Sequence, residues 1–147
     1  MEEIILNEMN KKRWIVILCI LGIITASYLT YMFYNTESHE VCDINETFDC
    51  TTVHESDYAI LSGVPVAILG IVGYFLILAF SFYSLFYAKW LSFVGLLFQL
   101  RLTYAEFFVI HKLCIFCLIS QGIILLIFLL CLNWKRIKRK TLKKLIK

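Results

Sequence analysis

Four long apolar stretches, near residues 14–33, 65–87, 90–110 and 114–132, set the pattern of this chain, and polar residues gather between and beyond them. About 20 residues rising about 1.5 Å each cross a hydrocarbon core of about 30 Å, so each stretch predicts a membrane-spanning helix. Trp14, Trp90 and Trp134 stand at stretch edges, where an amphipathic ring suits the headgroup level. The first stretch is longer than a signal-peptide core and lacks a clear small-residue cleavage site, so it is read as a helix. The one long connection, 34–64, is where loop function is expected, and 51–61 within it predicts a short interfacial helix. Pro65 suits a helix start, because its missing N–H is unpaired there in any case. The fold class is therefore all-α and integral to the membrane: one domain, 1–147, a four-helix bundle with an outer capping loop.

Composition strengthens this picture. Hydrophobic residues make up 61% and charged ones 17%, against about 45–50% and about 25% in soluble domains. The net charge is +3, and eight of the fourteen Lys and Arg residues lie in the tail 135–147. Basic residues so placed address a membrane surface, and no nucleic acid is expected.

Orientation follows from the basic residues. Lys11, Lys12 and Arg13 precede the first helix, Lys89 lies between the second and third, and the tail follows the fourth. The positive-inside bias puts these places, and both termini, in the cytoplasm of a multi-pass cell-membrane protein. Acidic residues from Glu37 to Asp57 crowd the loop 34–64, which then faces outward, as does the turn at His111 and Lys112.

Topology sorts the six cysteines. Cys19 and Cys131 lie within apolar helices near the cytoplasmic side, where a thiol acts as a small hydrophobe. Cys42 and Cys50, seven residues intervening, lie in the outward loop, and Cys114 and Cys117 open the fourth helix at the same face. Two such pairs read as redox chemistry, as disulfide staples, or as a zinc site. At a helix N-terminus, unpaired amides and the positive dipole end favour a thiolate, which makes Cys114–Cys117 the reactive pair. Cys117, nearly a turn deeper, points toward a lipid-soluble electron carrier. Asp43 and Asp49 beside the loop cysteines disfavour a thiolate there and suit that pair to relay.

Other residues add to the site. Gly63, Ala67, Gly70 and Gly73 form a small-residue strip that either packs helices closely or leaves room for a flat ring. Arg101 and Glu106 interrupt the third helix five residues apart, poor spacing for an ion pair. Intramembrane charges face a bundle interior, a partner or the interface, and Glu106 is a candidate for protonating a quinone or a thiolate. His54 and His111 read as exposed loop residues near the reactive face.

Three runs then carry a resemblance. Phe48-Asp49-Cys50-Thr51-Thr52-Val53 with Ser56, Gly63-Val64-Pro65-Val66-Ala67-Ile68-Leu69-Gly70, and Phe107-Phe108-Val109-Ile110-His111-Lys112-Leu113-Cys114-Ile115-Phe116-Cys117 resemble the prokaryotic branch of the vitamin K epoxide reductase family, the VKOR type without a fused thioredoxin-like domain. The resemblance implies four helices around a quinone, ubiquinone, menaquinone or related, capped by the loop. It implies Cys114 and Cys117 as the pair that reduces the quinone, Cys42 and Cys50 as the shuttle from a separate thioredoxin-like or DsbA-like protein, and Ser56 as a supporting hydroxyl. Net, disulfides form in exported proteins, and no metal is expected. Gln121 and Ser62 stand where vertebrate relatives carry a tyrosine and an asparagine, which favours plain quinone reduction over epoxide reduction, with Gln121 offering a donor to a quinone carbonyl. The rival readings are a quinone-linked oxidase of the DsbB family, in which the order of the two cysteine pairs is reversed, and a non-catalytic stapled or zinc-binding membrane protein.

Overall fold

The computed structural model describes residues 2–35, 43 and 46–145. Among the described residues four helices are long and apolar enough to cross a membrane: Met9–Tyr34, Val66–Tyr83, Leu85–Ile110 and Ile115–Leu132. The first lies within α1 (Glu2–Tyr34), followed by a short α2 (Cys50–Glu55) and a single 3-10 turn, Asp57–Ala59. A minimal antiparallel hairpin, β1 (Ile60–Leu61) and β2 (Val64–Pro65), leads into α3 (Val66–Tyr83), α4 (Leu85–Ala105) and α5 (Ile115–Leu145). Helices α1, α3, α4 and α5 close a ring, α1 packing on α3 and α5, and α4 on α3 and α5. This is the predicted bundle, and the loop contributes the expected short helix.

Several boundaries differ from the sequence expectation. The second and third spans part at Ser84, whose extended backbone interrupts the helix while its N–H caps the Phe80 carbonyl at 2.7 Å. Lys89 therefore lies inside α4, its ammonium over the Trp90 ring. The basic tail continues α5 as helix to Leu145. Pro65 caps α3, and the hairpin before it turns on Ser62 and Gly63, both with positive φ, 53° and 83°. Two such residues make the turn whose twist matches paired strands, and glycine bears the larger angle without a Cβ clash.

Two buried clusters divide the bundle. One holds Ile15, Cys19, Tyr74, Ile77, Ile127 and Cys131 among others; the second, at the opposite end, joins Leu29 and Met32 of α1 to Cys50, Val53 and Cys114. Helices pack tightly at Gly22 and Gly95, where a Cβ would stand 2.5 Å from the Tyr74 ring and from Ile124 respectively. At Gly73 a Cβ would meet nothing within 4 Å, and at Gly70 only Ala26 at 3.6 Å. Of the two readings of the small-residue strip, Gly73 follows the one that leaves room.

Candidate functional site

The capping segment is fastened at two places. At the N-terminus of α2, Asp43 accepts the Cys50 amide at 2.8 Å and the Thr51 hydroxyl at 2.6 Å, while Asp49 accepts the Thr52 amide at 2.9 Å and its hydroxyl at 2.7 Å. Carboxylates here satisfy amides that a helix start leaves unpaired and meet the positive dipole end. The Thr52 amide, then its hydroxyl, hold the Asp49 carboxyl below its ordinary range, with Lys112 adding a smaller pull. The acidic neighbours of Cys50 are thus helix caps, a use that charge counting alone missed.

The second fastening joins the cap to the residues just before Cys114. The Leu113 amide donates to the Thr47 carbonyl at 2.9 Å, Phe48 and Leu113 form an isolated parallel bridge, and Lys112 donates to the Glu46 carbonyl and pairs with Asp49 at 3.6 Å. Cys50 and Cys114, each fully buried, share the second cluster, and Cys117 packs against it. Cys50 is disulfide-bonded, whereas Cys114 and Cys117 carry thiols. Cys42 lies outside the described residues.

Cys114 stands where α5 begins. Its sulfur accepts the Cys117 amide at 3.3 Å, so the thiol takes the position of an N-capping side chain. This is the predicted setting of the C-x-x-C pair, reached through an unpredicted device. Helix α4 runs on as a π turn, Glu106–Ile110, closed by His111 in the left-handed region with φ 56°. The turn places Glu106 inside the bundle, 3% exposed, where its Oε2 accepts the Cys114 amide at 3.1 Å. Arg101 faces outward from α4, and His111 is exposed.

A partly open cavity lies between these groups. Cys117, Glu106, Gln99 and Ser120 line it from the helices, Ser56 and Tyr58 from the cap, and Leu29, Val66, Ala67 and Gly70 give it apolar walls. A second cavity shares Gln99, Leu102 and Gly70 with it and reaches Gly73. The Ser56 hydroxyl donates to the Val53 carbonyl at 2.6 Å, which ties the end of α2 at the cavity rim.

The glutamine on the cavity wall is not the expected one. Gln121 does not line the cavity; its Oε1 accepts the Thr103 hydroxyl at 2.6 Å between α4 and α5. Gln99 does, and its Nε2 donates to the Ser120 hydroxyl at 3.0 Å. Tyr74 in turn donates to the Ser120 carbonyl at 2.7 Å. Gln99, Leu102 and Glu106 are spaced i, i+3 and i+7, one face of a helix, and that spacing was the signal available for Gln99. Ser62, at the hairpin turn, is not a wall residue.

Cys19 and Cys131 are buried in the first cluster, away from this cavity. Among the described residues no three His, Cys, Asp or Glu side chains gather to hold a metal ion. A family model described as the vitamin K epoxide reductase family matches residues 13–132. No curated protein matches the chain.

Proposed function

Since the chain belongs to the vitamin K epoxide reductase family, whose members are membrane thiol–disulfide oxidoreductases, we propose that it oxidises a thioredoxin-like or DsbA-like partner and delivers the electrons to a membrane quinone. The observation that carries this reading is the shared burial of Cys50 and Cys114, with Cys117 on the wall of the capped cavity. The cavity suits a quinone: its walls are largely apolar, Gly70 and Gly73 leave width for a flat ring, and Gln99, Ser56 and Glu106 offer polar contacts. A bound quinone supplies an acceptor for two electrons and two protons.

In this reading Cys42 is the disulfide partner of Cys50. A thiolate of the partner protein opens that disulfide through a mixed disulfide, and its second thiol resolves it. A loop thiolate then attacks the Cys114–Cys117 disulfide and is released as the loop disulfide re-forms, leaving Cys114 and Cys117 reduced. Cys114 sits over the α5 amides, which stabilise negative charge on its sulfur. Cys117 faces the cavity, and as its sulfur joins that of Cys114 the electron pair leaves for the acceptor. Ser56 holds the cap end against the cavity. Both termini lie in the cytoplasm and the cysteine pairs face outward, so the disulfides made belong to exported proteins.

Quinone reduction by the purified protein in detergent, with a small dithiol as donor, tests this. Wild type is expected to turn over and Cys117→Ala to be inactive; equal rates from the two would end the reading.

A further inference from the structure

Glu106 stands out as a buried charged residue at the reacting end of the bundle. Taking a carboxylate out of water is costly unless it is well bonded, and sites that keep one under that cost are candidates for proton chemistry. It bonds to the redox pair and to the turn before it. Cys117 stands on the cavity wall, the Glu106 carbonyl accepts the His111 and Lys112 amides, and the Glu106 carboxylate accepts the Cys114 amide. The same side chain reaches the cavity wall, one turn beyond Leu102 and two beyond Gln99.

The electron transfer must be matched by proton transfer. Oxidising two thiols to a disulfide breaks two S–H bonds, forms one S–S bond and releases two electrons and two protons; reducing a quinone to a hydroquinone takes up the same number of each. Of the residues lining the cavity, those that titrate are Tyr58, Glu106 and Cys117. The wall residues of α1 and α3, such as Leu29 and Gly70, carry no ionisable group. Tyr58 belongs to the cap and is 44% exposed, whereas Glu106 is buried. Outside the wall, the Cys114 amide is in direct contact with the carboxylate, and Lys112 is bonded to Glu46 and Asp49 of the cap.

We propose that Glu106 is the proton carrier of this site, taking the proton of the Cys117 thiol onto its carboxylate, passing it to a ring oxygen of the quinone, and repeating the transfer for Cys114. The proposal rests on the quinone-reducing reading above and adds the route of the protons to it. The carboxylate is regenerated in each half of the step, both electrons go from the sulfurs to the ring, and no water or outside acid is consumed. The π turn serves this role by aiming Glu106 inward while its amide-bonded Oε2 fixes the carboxylate beside Cys114.

Two measurements on the full-length protein in detergent decide it, using Glu106→Gln, which keeps the size and an acceptor for the Cys114 amide. In quinone-free, dithiol-reduced protein, alkylation of Cys117 by N-ethylmaleimide is followed against pH. A carboxylate sharing the thiol proton gives wild type two inflections, and Glu106→Gln is expected to show one. In quinone reduction, kcat is expected to fall by about 100-fold or more, as for loss of a general acid–base group, with KM changed little. An unaltered alkylation profile, or a kcat within about threefold of wild type on the same scale of effect, overturns the proposal. Should the glutamine variant not fold, Glu106→Asp, which draws the carboxylate back, must itself lower kcat by about 10-fold or the proposal fails. If wild type reduces no quinone, the functional reading fails, and the alkylation profiles still decide whether Glu106 takes the thiol proton.

Discussion

The ammonium of Lys112 lies 3.6 Å from the Asp49 carboxylate, so the residue beside Cys50 is paired with the residue two before Cys114. One ion pair between partly exposed groups is worth little. Here it is part of a seam that includes the Leu113–Thr47 hydrogen bond and the Lys112–Glu46 contact. The seam sets the height of the cap over the cavity.

Acid is expected to loosen that cap. Bonds from Thr52, chiefly its amide, lower the folded-state pKa of Asp49. A depressed carboxyl stabilises the fold above its ordinary value of about 4, and that contribution is lost as pH falls through the lowered value. Reduction of the Cys50 disulfide by a phosphine should therefore accelerate below about pH 4 in wild type. Asp49→Asn, which has no charge to lose, should show a weaker rise; parallel curves would remove Asp49 from the seam.

The cysteine pairs are expected to separate by donor. A small dithiol can reach Cys114 and Cys117 directly, whereas a folded protein is too bulky to reach residues under a cap. Cys42→Ala and Cys50→Ala should keep much of their quinone reduction with the dithiol and lose it with a protein donor. Cys114→Ala and Cys117→Ala should lose both, and Cys19→Ala and Cys131→Ala neither. A loop variant that oxidises a protein partner at the wild-type rate contradicts the relay.

Gln99 and Gln121 give a paired comparison, with Ser56 as a third position. Losing a hydrogen bond costs about 0.5–1.5 kcal/mol, or about 2- to 10-fold. Gln99→Leu should raise the KM for quinone by about that factor, and Ser56→Ala should slow turnover to a similar degree. Gln121→Leu, directed at Thr103, should leave KM unchanged while lowering thermal stability. The reverse ranking would restore Gln121 to the quinone site.

The glycines divide between packing and space. Gly22→Ala drives a methyl against the Tyr74 ring, and overpacking costs about 1–3 kcal/mol, so its Tm should drop. Gly73→Leu meets open space and should fold, but with a raised KM for quinone. Thermal unfolding and quinone titration of the two variants read this out, and a folded Gly73→Leu with normal KM would place the ring elsewhere.

The spans were legible because crossing a membrane demands long apolar runs, and the connecting loop because its acids interrupt them. The break at Ser84 was hidden within a continuous apolar run; Lys89 drew the boundary to itself, although its stem and the Trp90 ring let it sit inside a helix end. Gln121 was placed by its distance from Cys117 along α5, which says nothing of Thr103 across the interface. The C-x-x-C motif marked Cys114 and Cys117 at a helix start, where the structure has them, while the π turn that aims Glu106 has no spacing signature and emerges only when the chain is folded.

Beneath the hydrogen-bonded trio of Gln99, Ser120 and Tyr74, the far half of the bundle is filled by Ile15, Cys19, Ile77, Ile127 and Cys131. Its buried serines, Ser81 and Ser92, are turned onto carbonyls of their own helices, at Leu78 and Lys89. Apart from the Tyr74 hydroxyl and the Cys19 and Cys131 thiols, that buried cluster is apolar, an insulating layer. Charge moved through a membrane field costs about 2.3 kcal/mol per elementary charge per 100 mV, but electrons and protons that enter and leave on one side of that layer do not cross it. The catalyst should be voltage-silent, drawing nothing from the ion gradients of its cell. Turnover in sealed vesicles is accordingly expected to be the same with and without an imposed potential, and a rate that followed the voltage would mean that protons pass through the layer.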